Sequence, residues 1–125
     1  MCSFYKHAVS SYFGGIDIMK RIIYRIELWF LIIGLLLLYG RLGSWIVFLI
    51  FYLLPDITAL GFMFSKRIGE ISYNCSHTLI DPTLLLVFIL VVPSKFNQIL
   101  ISLTLIWLIH ILVDRALDWG LFPRI

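Results

Sequence analysis

Long apolar runs alternate with short polar connectors along most of the chain. An α-helix needs about 20 apolar residues to cross a bilayer core of about 30 Å. Four stretches have that length and composition, at about 22–40, 44–64, 69–92 and 97–117. The sequence lacks the alternation of apolar and polar residues that is typical of membrane-spanning strands. The pattern therefore predicts an all-α membrane protein.

The connectors between the apolar stretches predict how the helices are arranged. Residues 41–43 and 93–96 form short connectors, and short connectors place consecutive helices antiparallel. We therefore expect residues 22–125 to form a four-transmembrane-helix antiparallel bundle. Residues 1–21 are polar and mixed, without a secretory signal pattern, and we expect them to form a poorly ordered amino-terminal tail.

Composition and charge place this bundle in a membrane and orient it. Hydrophobic residues make up 62% of the sequence and charged residues 14%, whereas soluble domains average about 45–50% and about 25%. Two of the ten Lys and Arg residues, Arg41 and Lys95, lie on one side of the predicted bundle. The other eight lie on the side of both termini, namely Lys6, Lys20, Arg21, Arg25, Lys66, Arg67, Arg115 and Arg124. The positive-inside rule then predicts an inner-membrane protein with both termini cytoplasmic.

Ionisable residues inside the spans are the main clue to function, because such groups are costly in lipid unless they are paired or coordinated. Glu27 lies near the cytoplasmic edge of the first span and needs a partner there. In the second span, Pro55 removes the hydrogen bond to the carbonyl of Phe51 and opens the helix beside Asp56. A carboxylate at such an opening is typical of a ligand site, and equally of a buried side chain that satisfies a neighbouring donor.

Polar residues in the third and fourth spans fall on single helix faces. The third span has Glu70, Asn74, His77 and Asp81 at i, i+4, i+7 and i+11, and the fourth has His110 and Asp114 at i and i+4. At a rise of about 1.5 Å per residue, Asp56, His77 and His110 lie about 10–12 Å from the cytoplasmic ends of their helices. This common depth predicts one polar pocket open to the cytoplasm, built from Asp56, Asn74, His77, His110, Asp114 and Glu27.

The chemistry available to such a pocket is limited. Imidazoles and carboxylates are ligands for zinc and other divalent metals, so the candidate metal ligands are Asp56, His77, His110 and Asp114. The same groups are able to relay protons. The sequence contains no His-Glu-x-x-His motif, no Gly-rich phosphate loop and no Gly-x-Ser-x-Gly motif.

Two hypotheses follow from this pocket. The first is a small membrane protein that binds a divalent metal such as zinc, or that uses the metal to hydrolyse a substrate. The alternative is a non-enzymatic membrane protein whose polar network serves helix packing or the passage of protons or solutes. Both place the chain in a lipid bilayer with no nucleic-acid partner, and both leave open a homo-oligomer or a small membrane partner.

Several motifs of this chain, in order, resemble an uncharacterised family of bacterial membrane proteins, DUF4260. The motifs are Arg25-Ile26-Glu27, Tyr39-x-x-Leu42-Gly43-x-Trp45, Leu54-Pro55-Asp56, Arg67-x-Gly69, Tyr73-Asn74-x-x-His77-Thr78 and His110-Ile111-x-x-Asp114-Arg115. The resemblance implies a small multi-span protein and no particular activity. The family's terminal Gly-Tyr-Gly-Leu-Lys run reads Asp118-Trp119-Gly120-Leu121-Phe122 here, without its Lys. Pro55-Asp56, His77-Thr78 and His110-x-x-x-Asp114 also resemble, more faintly, membrane-bound metal-dependent hydrolases, although their paired-His signature is incomplete here.

Overall fold

Helices make up the secondary structure in the described part of the chain. The structure is a computed structural model that describes the backbone of residues 2–123 and the side chains of residues 14–123. Five α-helices and one 3-10 helix are present in these residues, in the order α1 Cys2–Leu42, α2 Trp45–Phe51, the 3-10 helix Leu54–Met63, α3 Lys66–His77, α4 Ile80–Val91 and α5 Asn97–Ala116. The all-α prediction is confirmed.

Four segments of the described chain are long and apolar enough to cross a membrane. They are Gly14–Leu42, Trp45–Met63, Lys66–Val91 and Asn97–Ala116. The predicted number of spans is therefore confirmed, and the first span begins further upstream than the sequence pattern indicated. The antiparallel order, the side on which the termini lie and the order of residues 1–21 in solution stay predictions.

Two prolines divide the second and third spans. Inside a helix, a proline ring clashes with the carbonyl of the residue four positions earlier. Proline also lacks the backbone N–H that would donate a hydrogen bond to that carbonyl. Helix α2 ends at Phe51, four residues before Pro55. Helix α3 ends at His77, and its C-cap Thr78 is extended, four residues before Pro82. Both spans are thus interrupted inside the membrane, where irregular backbone is tolerated if it is buried in protein or lines a cavity.

The second interruption corrects one expectation from the sequence. Asp81 was placed on the same helix face as His77, but α3 ends at His77 and Asp81 belongs to the first turn of α4. Asp81 is exposed, and its Oδ2 lies 3.5 Å from the hydroxyl of Thr78. The predicted polar stripe therefore stops at His77.

Helix α5 lies at the centre of the fold. It contacts α1, α2, α4 and the 3-10 helix. Leu112 packs with Leu28 and Ile32 of α1, and Ile106 packs with Tyr39 nearer the other end of α1. Because lipid tails are as apolar as these side chains, such packing stabilises a membrane fold mainly through van der Waals contact. Polar groups on the inner face of α5 are consequently shielded from lipid.

The 3-10 helix and α3 pack closely because small residues line their contact. A Cβ atom on Gly61 would overlap the Ser72 hydroxyl, and a Cβ atom on Gly69 would overlap the ring of Phe62. Glycine at these two positions lets the backbones approach, as small residues commonly do between membrane helices. The close approach brings the start of the 3-10 helix beside the end of α3.

Candidate metal centre

The two helix interruptions and the central helix bring four ionisable side chains together. Asp56 lies in the first turn of the 3-10 helix, and His77 is the last residue of α3. His110 and Asp114 lie one turn apart on α5. One ligand-type atom from each of the four lies within 4.8 Å of the other three. These are the four residues that the sequence proposed as metal ligands.

The distances among these four atoms define a small tetrahedron. The two imidazole Nε2 atoms of His77 and His110 are 3.2 Å apart. Asp56 Oδ1 lies 3.3 Å from each Nε2, and Asp114 Oδ2 lies 3.3 Å from His77 and 3.4 Å from His110.

The centre of this tetrahedron has the dimensions of a zinc site. If the edge between the two carboxylate oxygens matches the other five, the centre is about 2.0 Å from each atom, which is the usual Zn–N and Zn–O distance. If that edge approaches the 4.8 Å limit, the equidistant point is about 2.4 Å from each atom and the two oxygens lie nearly in line, so the carboxylates would have to move inward to hold zinc. The four atoms lie close enough together that they could hold one metal ion between them.

The backbone behind His77 allows the tautomer that a metal ligand needs. The Nδ1 atom of His77 lies 2.9 Å from the carbonyl of Tyr73, which accepts and cannot donate. With the proton on Nδ1, directed at this carbonyl, Nε2 would present a lone pair to His110 and the two carboxylates. A backbone carbonyl that fixes the tautomer in this way is the usual partner of a metal-binding histidine.

The burial and the charge of the cluster also favour a bound cation. The side chains of His77 and His110 are 3% and 2% exposed, and that of Asp114 is 12% exposed. The Asp56 side chain is 42% exposed and forms the open side of the cluster. Metal ligation requires ionised carboxylates and neutral imidazoles, a set that would carry a net charge of about −2 and would be costly away from water without a cation. A divalent cation at the centre would bring the net charge of the group to zero.

Hydroxyl groups hold the His77 ring from behind. The Ser76 hydroxyl lies 2.7 Å from His77 Nδ1 and 2.7 Å from the hydroxyl of Thr58. The indole of Trp107 on α5 donates to the Ser76 carbonyl at 2.6 Å. These contacts connect the 3-10 helix, α3 and α5 directly behind the histidine.

Aromatic rings complete the surroundings of the cluster. The ring of Tyr73 stacks on His77 with centroids 3.7 Å apart, and its hydroxyl donates to Asp114 Oδ2 at 3.3 Å. The ring of Tyr52 meets His110 edge-on at 5.0 Å. His110 Nδ1 is buried and has no hydrogen-bond partner in the described part of the chain, so on this side packing alone holds the ring, unlike the Nδ1 side of His77.

The two remaining residues of the predicted pocket lie elsewhere. Glu27 is exposed on α1, because the neighbouring Leu28 and not Glu27 lies on the face that packs against α5. The structure therefore does not bring Glu27 into the cluster. Asn74 is half-buried on α3, but its amide pairs with the backbone of Phe122 rather than with a ligand.

Sequence reasoning missed the hydroxyl groups behind His77. Ser72 and Ser76 are four residues apart on α3, and Gly69 lies one turn before Ser72. Such a row of small residues in a membrane helix indicates a face that packs closely on a neighbour. That signal was present in the sequence, and it would have indicated both the contact with the 3-10 helix and the role of Ser76.

Comparison with known proteins yields one family. The family model described as Domain of unknown function (DUF4260) matches residues 21–123. No curated protein and no solved structure matches the chain. The matched range includes all four cluster residues, and the chain belongs to this family.

Proposed function

We propose that this member of the DUF4260 family is a small integral membrane protein that binds one divalent metal ion, with zinc as the favoured metal. The ligands are Nε2 of His77, Nε2 of His110, and one carboxylate oxygen each of Asp56 and Asp114. The observation that carries the proposal is the set of five distances of 3.2–3.4 Å among these atoms. Zinc favours four nitrogen and oxygen ligands in a tetrahedron at about 2.0–2.2 Å.

The proposed site lies in the half of the bundle nearer the cytoplasm. His110 is six residues from Ala116, the end of α5, and therefore about 9 Å from that end at the usual helical rise. The same end of the fold carries Arg25 and Asp118, which form an ion pair between α1 and the residues after α5. The excess of Lys and Arg at this end supports a cytoplasmic location in the inner membrane.

Metal binding is better supported than hydrolysis as the function of this site. Four protein ligands occupy every position of a tetrahedral zinc ion, whereas hydrolytic zinc sites keep one position for water. Asp56 is the one ligand whose side chain is substantially exposed, at 42%. Hydrolysis is therefore the second candidate function, and it requires that water replace Asp56.

Metal analysis of protein purified in detergent, with an affinity tag that lacks histidine, tests the proposal. After loading with zinc and removal of free metal, we expect about one zinc ion per chain in the wild type and in a His7→Ala control. We expect the His77→Ala/His110→Ala variant to lose it, because two of four ligands are gone. A wild type without zinc, or a double variant with as much zinc as the wild type, contradicts the proposal.

The competing hypothesis is a metal-free polar network that locks the helices together. Thermal unfolding with and without a chelator separates the two. If metal is bound, the chelator lowers the unfolding temperature of the wild type and leaves the double variant unchanged, because a ligand of the folded state stabilises it. If the network acts without metal, the double variant is less stable than the wild type and the chelator changes neither.

A further inference from the structure

Residues 117–122 follow α5 and fold back across the metal centre; we call them the carboxy-terminal segment. Resting on the proposed metal site, we infer that this segment controls how fast the metal enters and leaves, and that Asn74 is the positioning residue that holds the segment closed. Asn74 acts by holding Phe122 in place and does not contact the metal.

The segment is fastened at both ends. At its start, the backbone N–H of Trp119 donates to the carbonyl of Asp114 at 2.7 Å, directly after a ligand. At its end, the Asn74 amide donates to the Phe122 carbonyl, and the Phe122 N–H donates to the Asn74 side-chain oxygen, both at 2.7 Å. One side chain of α3 thus satisfies both backbone groups of Phe122. The segment is thereby held against α3 over the turn that carries His77.

The segment also touches the surroundings of the ligands. The ring of Phe122 meets Tyr73 edge-on at 5.0 Å, and Tyr73 contacts both His77 and Asp114. Between these two ligands and Trp119–Leu121 lies a cavity of about 10 Å³, which is the room for about one water molecule. An ion approaching from the end of α5 meets this nearly filled space, so the segment has to move before the ion passes.

The ion pair between the segment and α1 is weaker than the two hydrogen bonds to Asn74. Asp118 forms an ion pair with Arg25 of α1, but the two side chains are 71% and 52% exposed. Exposed ion pairs add little to stability because water and salt screen them. The two hydrogen bonds to Asn74 are half-buried, and we therefore expect them to determine how often the segment opens.

The test compares the rates of metal exchange with the affinity. Asn74→Leu keeps the size of the side chain and removes both hydrogen bonds to the segment. Asn97→Leu is the matched control, because Asn97 donates to the carbonyls of Ile89 and Val92. Asn97 lies thirteen residues before His110 on α5, about 20 Å from the site. Zinc-loaded protein is mixed with excess chelator to give the dissociation rate, and competition with a zinc-binding dye gives the dissociation constant.

We expect Asn74→Leu to release zinc about tenfold faster than the wild type, from the loss of two hydrogen bonds, with a dissociation constant changed less than threefold. A gate accelerates entry and exit together, whereas a structural defect at the ligands would weaken the affinity. Asn97→Leu should match the wild type in both measurements. Asn74→Asp keeps the acceptor for the Phe122 N–H and should lie between wild type and Asn74→Leu.

Two outcomes overturn the inference while leaving the metal site intact. Unchanged release from Asn74→Leu would place the route of the ion elsewhere, on the open side at Asp56. Faster release with an equal loss of affinity would make Asn74 a contributor to binding rather than to access. If Asn74→Leu does not bind zinc, the release rate and the dissociation constant of Asn74→Asp are compared with those of the wild type instead. A wild type that binds no zinc would contradict both the proposed metal site and this inference.

Discussion

Ser76→Ala should weaken zinc binding, and Ser72→Ala should not. Both serines lie on the face of α3 that packs against the 3-10 helix, one turn apart. The Ser76 hydroxyl contacts His77 Nδ1 at 2.7 Å. The Ser72 hydroxyl donates to the carbonyl of Thr58 at 2.8 Å and does not touch the ligand. The two variants therefore remove the same chemical group from the same interface, and only one of them removes it from a metal ligand.

The expected magnitudes follow from what remains in each variant. Loss of a hydrogen-bond partner behind a metal ligand typically reduces metal affinity 10- to 100-fold. His77 Nδ1 keeps the Tyr73 carbonyl at 2.9 Å, so we expect the lower end, about tenfold. Each variant also loses the hydroxyl's contacts at this half-buried interface, with the Thr58 and Gly69 carbonyls for Ser72 and with Thr58, Pro55 and Tyr73 for Ser76. We expect this loss to lower the free energy of unfolding of the metal-free protein by about 1–2 kcal/mol in both.

Two assays on the same detergent preparations check these magnitudes. Dye competition gives the zinc dissociation constant, and thermal unfolding in the presence of a chelator gives the stability without metal. We expect a selective loss of zinc affinity in Ser76→Ala and similar losses of stability in the two variants. An equal change of affinity in both variants, or none in Ser76→Ala, would refute the assignment of Ser76 as the partner of His77.

Two further predictions concern the topology and the packing. Reporter fusions after Arg41 and after Lys95 should give an external signal, because both termini are expected to be cytoplasmic; a cytoplasmic signal at both would reverse the topology. Gly69→Val should destabilise the protein by about 1–3 kcal/mol, because the added atoms collide with the ring of Phe62. Gly34→Val is the control, since a Cβ atom there meets nothing within 4 Å. Equal unfolding temperatures of the two variants would show that the 3-10 helix and α3 leave room for a side chain at position 69.

The spans and the members of the His/Asp cluster could be predicted from the sequence for clear physical reasons. Apolar runs of the length of a bilayer core have few alternatives to a membrane helix. Pro55 and Pro82 must interrupt a helix wherever they lie beyond its first turn, so both interruptions can be predicted, although the second begins at His77 rather than after Asp81. His77, His110 and Asp114 stand out because ionisable side chains inside lipid need compensation. Their shared depth was enough to predict that they meet.

The arrangement around the ligands could not be predicted in the same way. Helical spacing placed Asp81 in line with His77, since spacing alone does not show that Pro82 ends α3 at His77 rather than bending it. Glu27 and Leu28 are neighbours in sequence, and only the packing of α1 on α5 decides which of them faces inward. The pairing of Asn74 with Phe122 joins residues 48 positions apart, and no local pattern encodes such a contact.

X-ray absorption at the zinc edge, measured on the zinc-loaded wild type, tests the metal centre most directly. Two imidazole nitrogens and two carboxylate oxygens predict four nitrogen or oxygen neighbours at about 2.0 Å, with the outer-shell scattering of two imidazole rings. The ligand set contains no cysteine, so no sulfur should appear at about 2.3 Å. A spectrum with sulfur in the first shell, with six oxygen neighbours, or without imidazole scattering would contradict the assignment of Asp56, His77, His110 and Asp114 as the ligands.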